Sequence, residues 1–147
     1  MSSRETITPG EAETERVGFE LAASVSRDDV LYLIGDLGTG KTTFARGLAR
    51  GLGALARQVA SPTFALLHEY AGEGGAIVLR HLDLYRLADD ARELEVLGLP
   101  ESAAGAPACV EWPRSAIRTL LPPTMEITIE AELDERRRIR IRRLAGS

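Results

Sequence analysis

Residues 35–43 read Gly-Asp-Leu-Gly-Thr-Gly-Lys-Thr-Thr and follow directly on the apolar run VLYLI of residues 30–34. That junction decides the fold. The run is short, branched and apolar on both faces, the pattern of a strand buried in a parallel sheet. Beyond it Phe44, Leu48 and Leu52 recur at helical spacing, with Gly53 placed to stop the helix. The local order is therefore strand, glycine-rich loop, helix. Gly35, Gly40, Lys41 and Thr42 match G-x-x-x-x-G-K-[ST], a loop in which small residues let backbone N–H groups converge on phosphate oxygens. The helix beginning near Lys41 adds its positive end, each dipole contact being worth roughly 0.3–1 kcal/mol to an exposed anion. Thr42 would offer its hydroxyl to Mg²⁺.

The chain has 18 Lys and Arg residues, and Lys41 is its only lysine. A compact ammonium on a flexible stem folds over phosphates as a point charge, whereas the wider planar guanidinium does not fit the cradle. The same count excludes a Ras-type guanine reader, which needs an Asn-Lys-x-Asp segment. ATP is the expected nucleotide.

Composition sets the frame. At 147 residues, with 44% hydrophobic and 27% charged side chains, the chain suits one soluble α/β domain spanning 1–147. A formal charge of -4 argues against a broad basic face for nucleic acid. Cys109, alone and inside the apolar ACVEW, reads as a buried thiol in a reducing setting. The polar, acidic N-terminus is unlike a signal peptide and no apolar run reaches membrane-spanning length, so a cytoplasmic protein is expected.

Val17, Leu21 and Val25 predict a helix from Glu11 to Val25, and residues 26–29 a break. TFALLHEY and AIVLRHLDLY, separated by GEGG at 72–75, predict an adjacent pair of strands. DDARELEVLG predicts a short helix, ESAAGAP a loop and ACVEW a short buried strand ending at Pro113. From Met125 to Leu144 apolar and polar residues alternate on either side of Asp134 and Glu135, the pattern of an antiparallel hairpin with one wet face.

A nucleotide site also needs carboxylates at the C-terminal ends of strands beside the loop. Asp83 ends IVLRHLD and Glu111 ends ACVE, and either could hold Mg²⁺ or instead cap the segment that follows. Thr63 in SPTF could reach the γ-phosphate, or make a local turn bond. His68 and His81 lack zinc-ligand spacing and read as polar strand residues, His81 on the face of Asp83 and able to orient it.

In combination, GDLGTGKTTFARGL, SPTFALLHEY, HLDLYRL followed by ELEVLGLPE, and VEWP closely resemble the TsaE family of small P-loop ATPases of bacterial tRNA threonylcarbamoyladenosine synthesis. The resemblance covers about residues 8–122. It implies a P-loop NTPase-type three-layer sandwich, mainly parallel, with antiparallel additions and a C-terminal β-hairpin. It implies that Asp36, Leu37, Gly38, Thr39, Gly40, Lys41, Thr42 and Thr43 line the phosphates of ATP, and that Thr42, Glu111 and Asp83 serve Mg²⁺. Glu11 or its neighbours would touch the adenosine end, and Lys41, Asp83, Glu111 and Thr63 would carry hydrolysis. The partners implied are TsaB and TsaD, with tRNA met only through them. TsaD would perform the transfer, while ATP turnover here resets the complex. The family often has another acid close after EW; this chain has Arg114.

Two other classes fit a phosphate loop: a small-molecule kinase, for which no lid or acceptor segment is legible, and a nucleotide-gated binding module. The arginines at 136–138, 140, 142 and 143 invite a tRNA-binding reading. Their alternation favours a solvated ladder instead, Arg138, Arg140 and Arg142 pairing across a hairpin with Glu126, Glu130 and Glu132.

Overall fold

The computed structural model describes residues 3–36, 38–60, 67–85, 105–113 and 115–144. Among the described residues seven strands form one sheet: β1 (Ser3–Thr8), β2 (Val30–Ile34), β3 (Leu67–Ala71), β4 (Ile77–Asp83), β5 (Ala108–Glu111), β6 (Met125–Ala131) and β7 (Arg137–Arg143), in the order β1-β7-β6-β2-β5-β4-β3. The central strands β6, β2, β5 and β4 are mutually parallel, while β3 at one edge and β7 and β1 at the other run antiparallel to their neighbours. The described helices are α1 (Glu11–Leu21), α2 (Lys41–Gly51), α3 (Ala56–Ala60) and α4 (Ser115–Leu120). None is long and apolar enough to cross a membrane.

Side-chain alternation along β2 divides the core. Leu31 and Leu33 face one apolar layer with Phe44, Leu48, Ile127 and Ile139, beneath α1 and α2. Val30 and Tyr32 face a second with Leu82, Val110, Ile117 and Leu121, beneath α4. Helices thus cover both faces of a central sheet, as parallel strands that are apolar on both sides require. Tyr32, fully buried, satisfies its hydroxyl on the Leu121 carbonyl at 2.7 Å, and burial raises its pKa to about 12. Cys109 is fully buried as well, and that burial pushes its thiol well above the ordinary range.

The helix expected over 11–25 ends at Leu21 and tightens into a 3-10 turn over Ala22–Ser24. Leu52 caps α2, and Gly53 follows with φ +102°, the left-handed conformation of a helix stop. Strand β4, the short strand β5 and the β6/β7 hairpin stand where the sequence predicts them, and β3 covers the second half of the strand expected over TFALLHEY, whose residues 63–66 lie outside the described residues. The helix expected in DDARELEVLG lies outside the described residues.

Three elements escape the sequence reading: β1, α4 and the short helix α3 at Ala56–Ala60. Strand β1 is exposed along most of its length, so it carries no burial pattern. It forms because β7 presents a second edge that pairs with it from Ser3↔Arg142 to Thr8↔Arg137. Helix α4 is a single short segment, and Ile117 is its one buried residue.

Candidate functional site

Asp83, Glu111 and the N-terminus of α2 meet for a reason legible in strand parity. In β4 the residues 79, 81 and 83, and in β5 the residues 109 and 111, share the face that α2 covers. The parallel register sets Asp83 beside Glu111 and Leu33 beside Glu111. The strand ends and the glycine-rich loop therefore open into one cleft of about 510 Å³, a volume ordinary for a small-ligand site. Gly38 to Thr43 form its floor, with Glu11, Thr14, Asp83, Tyr85, Glu111, Trp112, Glu135 and Arg137 around it.

Two glycines are demanded by the loop. A Cβ on Gly35 would lie 2.3 Å from the Ile129 carbonyl oxygen of β6, and Gly40 has φ +105° immediately before α2. Gly38, Thr39 and Gly40 thus pass tightly into the helix, whose first N–H groups have no intrahelical acceptor and whose first residues line the cleft.

Lys41 is almost wholly buried. Its ammonium donates to the Gly35 carbonyl at 2.5 Å and stands 3.4 Å from the centre of the Trp112 ring. Burial lowers its pKa, against the opposing pull of Glu111, Asp83 and Asp36. Trp112 takes φ +58°, a left-handed conformation costing a bulky residue on the order of 1 kcal/mol, and its ring packs on Tyr85 with centroids 4.9 Å apart.

Glu111 is 3% exposed and is approached by the Thr42 hydroxyl at 3.3 and 3.4 Å from its two oxygens. His81 Nε2 lies 2.5 Å from Glu111 Oε2. The imidazole therefore bonds Glu111, and not Asp83 as the sequence suggests: cross-strand reach to the next residue on the same face prevails over adjacency along β4. Asp83 is exposed in the cleft wall, and its Oδ1 accepts the Tyr85 N–H at 3.1 Å, so it both lines the cleft and caps the following turn.

Among the described residues no group of three or more His, Cys, Asp or Glu side chains could hold a metal alone. A hydroxyl beside a buried carboxylate does suit Mg²⁺, which takes oxygen donors, binds one or two carboxylates and shares the rest of its sphere with phosphate and water.

In the same lining the Thr43 hydroxyl donates to Glu11 Oε1 at 3.2 Å, linking α2 to the start of α1. Asp36 is exposed and borders a separate groove with Trp112 and Arg118; its carbonyl accepts the Thr39 hydroxyl at 2.9 Å. Leu37, Thr63 and Arg114 lie outside the described residues. Sequence reasoning missed Glu135 and Arg137, which enter from the β6/β7 turn. The Arg137 guanidinium donates to the Thr39 carbonyl at 3.0 Å and the Gly38 carbonyl at 3.3 Å. No local signal separates Arg137 from its arginine neighbours. Those neighbours form the expected ladder: Arg138 with Glu132, Arg140 with Glu130 at 3.3 Å and Arg142 with Glu126 at 2.6 Å, joined by Glu5 of β1.

Residues 8–139 match the family model described as threonylcarbamoyl adenosine biosynthesis protein TsaE. The chain is 42% identical over 135 residues to the tRNA threonylcarbamoyladenosine biosynthesis protein TsaE of Bacillus subtilis, covering 91% of this chain and 80% of that protein. It is 36% identical over 133 residues to the protein of the same name from Rickettsia felis, covering 90% and 75%. The crystal structure of YdiB from Bacillus subtilis superposes with a TM-score of 0.74 at 31% identity, over 99% of this chain and 88% of that one. On the family-model match over most of its length, the identity to these relatives and the fold shared with YdiB, the chain belongs to the TsaE family of tRNA threonylcarbamoyladenosine biosynthesis.

Proposed function

We propose that this protein binds and slowly hydrolyses ATP with Mg²⁺ in the cytoplasm, and that TsaB and TsaD raise its turnover during tRNA threonylcarbamoyladenosine formation. The observation that carries the reading is the convergence of Lys41, Thr42, Glu111 and Asp83 on one cleft at the ends of β2, β4 and β5. In this reading Lys41 leaves the Gly35 carbonyl and the Trp112 ring for the β- and γ-phosphate oxygens. The backbone N–H groups of residues 38–43 surround the remaining phosphate oxygens. Thr42 and Glu111 hold Mg²⁺, with Asp83 next to them acting directly or through water; the bound cation neutralises charge that develops on the phosphates. Glu11, Glu135 and Arg137 face the nucleoside end. The chain supplies ATP turnover, and the transfer to tRNA belongs to TsaD.

The test is ATP hydrolysis with Mg²⁺, by the protein alone and with TsaB, TsaD and tRNA, while modified adenosine formed per TsaD is counted. Multiple turnovers that require this protein and ATP, and that fail with Lys41→Ala, are expected. Glu111→Ala should bind ATP with little hydrolysis. Nucleotide binding by Lys41→Ala at wild-type affinity would remove the phosphate-loop assignment, and modification that proceeds equally without the protein would remove the biological role.

A further inference from the structure

We infer that His81 is a positioning residue: its ring fixes the Glu111 carboxylate in the orientation that faces Thr42. The inference rests on reading Glu111 as a Mg²⁺ carboxylate and extends that reading to a residue that does not line the cleft. A carboxylate as buried as Glu111 must accept hydrogen bonds, or its desolvation goes uncompensated. The Thr42 hydroxyl, at 3.3 and 3.4 Å, lies at the long end of hydrogen-bond range, whereas His81 Nε2 is at 2.5 Å. An ionised carboxylate can only accept, so the proton of this bond sits on Nε2.

The register explains how the ring reaches. His81 stands opposite Cys109 in the parallel β4/β5 pair, and Glu111 is the next β5 residue on the same face. The ring is itself held from below. Tyr70 of β3 stacks on it at 6.4 Å between centroids with an interplanar angle of 18°, and His68, the cross-strand partner of His81, packs on Tyr70 at 4.2 Å. His81 is 5% exposed. Three adjacent strands thus aim one imidazole at Oε2, which leaves Oε1 free of the imidazole, 3.4 Å from the Thr42 hydroxyl. Partners that hydrogen-bond a ligating group in this way typically change metal affinity by about 10–100-fold when removed.

The experiment is calorimetric titration of ADP into the full-length protein, in EDTA and over a series of Mg²⁺ concentrations. It compares wild type with His81→Phe, His81→Gln, His81→Asn and Glu111→Gln. His81→Phe keeps a ring against Tyr70 but removes the N–H; the Gln amide reaches the place of Nε2, and the shorter Asn amide does not. In EDTA the His81 variants should bind ADP within about threefold of wild type, a difference of under about 1 kcal/mol. The Mg²⁺ needed to strengthen ADP binding should rise about 10–100-fold in His81→Phe and His81→Asn, and return toward wild type in His81→Gln. Should His81→Phe fail to fold, the Gln and Asn variants decide: equal Mg²⁺ response in the two overturns the inference. A wild-type Mg²⁺ response in the His81 variants, with the response lost in Glu111→Gln, overturns the positioning role alone. A wild-type response in Glu111→Gln removes the metal assignment of Glu111, and the inference falls with it.

Discussion

Asp29 offers the sharpest test of how the sheet is held. Its carboxylate accepts the Ser26 N–H at 2.8 Å, the Thr124 hydroxyl at 2.7 Å and Arg143 Nη1 at 2.9 Å. Thr124 Oγ1 in turn accepts the Val30 N–H at 2.9 Å. One side chain, 5% exposed, therefore ties the start of β2 to the approach to β6 and the end of β7. Asp29→Ala removes three charge-assisted bonds of about 1.5–3 kcal/mol each, but those values do not add, because the freed donors regain partners. Arg143, whose side chain is 35% exposed, regains water; the Thr124 hydroxyl and Ser26 N–H are only part-buried. The expected loss is about 2–4 kcal/mol. At 2–4 °C per kcal/mol for a chain of this size, Tm should fall by roughly 5–15 °C. Urea unfolding followed by circular dichroism should show a lower midpoint at unchanged m-value. A loss under about 0.5 kcal/mol, the level of an ordinary surface substitution, would refute the reasoning. The pH dependence supplies a second arm. Burial alone would raise the Asp29 pKa, but the bonds from Arg143, Ser26 and Thr124 outweigh it and hold the carboxyl below its ordinary 3.8. Since the folded pKa is the lower one, the stabilisation is complete above about pH 5 and is lost as pH falls through 3.8 and then through the folded value. The stability gap between wild type and Asp29→Asn should narrow between about pH 5 and about pH 3, and a gap that stays constant would contradict the assignment.

Three further outcomes are expected. A Cβ on Gly47 would lie 1.9 Å from the Glu15 carbonyl oxygen, so Gly47→Ala must separate α2 from α1. It should lose about 1–3 kcal/mol together with nucleotide affinity, because α2 carries Lys41 and Thr42; a wild-type Tm would refute the close crossing. Trp112 is the only tryptophan and holds the Lys41 ammonium over its ring, so saturating ADP should change its emission in wild type and leave Lys41→Ala unchanged. Constant emission in wild type would mean that Lys41 does not leave the indole. Arg137→Ala frees the Gly38 and Thr39 carbonyls and should weaken ADP binding about tenfold, or about 1.4 kcal/mol, with little change in Tm; wild-type affinity would show the loop to be rigid without it.

Legibility followed the range of the interactions involved. The strand at 30–34, the glycine loop and α2 are local: period, loop chemistry and helix stop lie within about two dozen consecutive residues. The charge ladder was readable because its pairs sit on one face of a hairpin joined by a short turn. Glu5 was not, since it arrives from the far end of the chain through β1, whose exposed polar sequence becomes a strand only against β7. The candidate carboxylates Asp83 and Glu111 could be named from their places at strand ends, but their roles could not be divided from sequence. Burial separates them, Glu111 sitting at 3% exposure under His81 while Asp83 faces solvent.

By itself the sequence determined the glycine-rich loop, the single ammonium at its end and the apolar run that makes β2 a central strand. Each of these is a constraint between near neighbours: glycines where backbone must pass close, a lysine at the start of the helix that follows, branched residues where both faces are covered. Only the tertiary structure decided which partner each remaining polar group would take. His81 turns to Glu111, Arg137 leaves its arginine neighbours for the loop carbonyls, and Asp29 gathers three strands. The physical reason is that a buried or half-buried polar group is satisfied by whatever the sheet register brings within about 3 Å, and register is a property of strands distant in sequence.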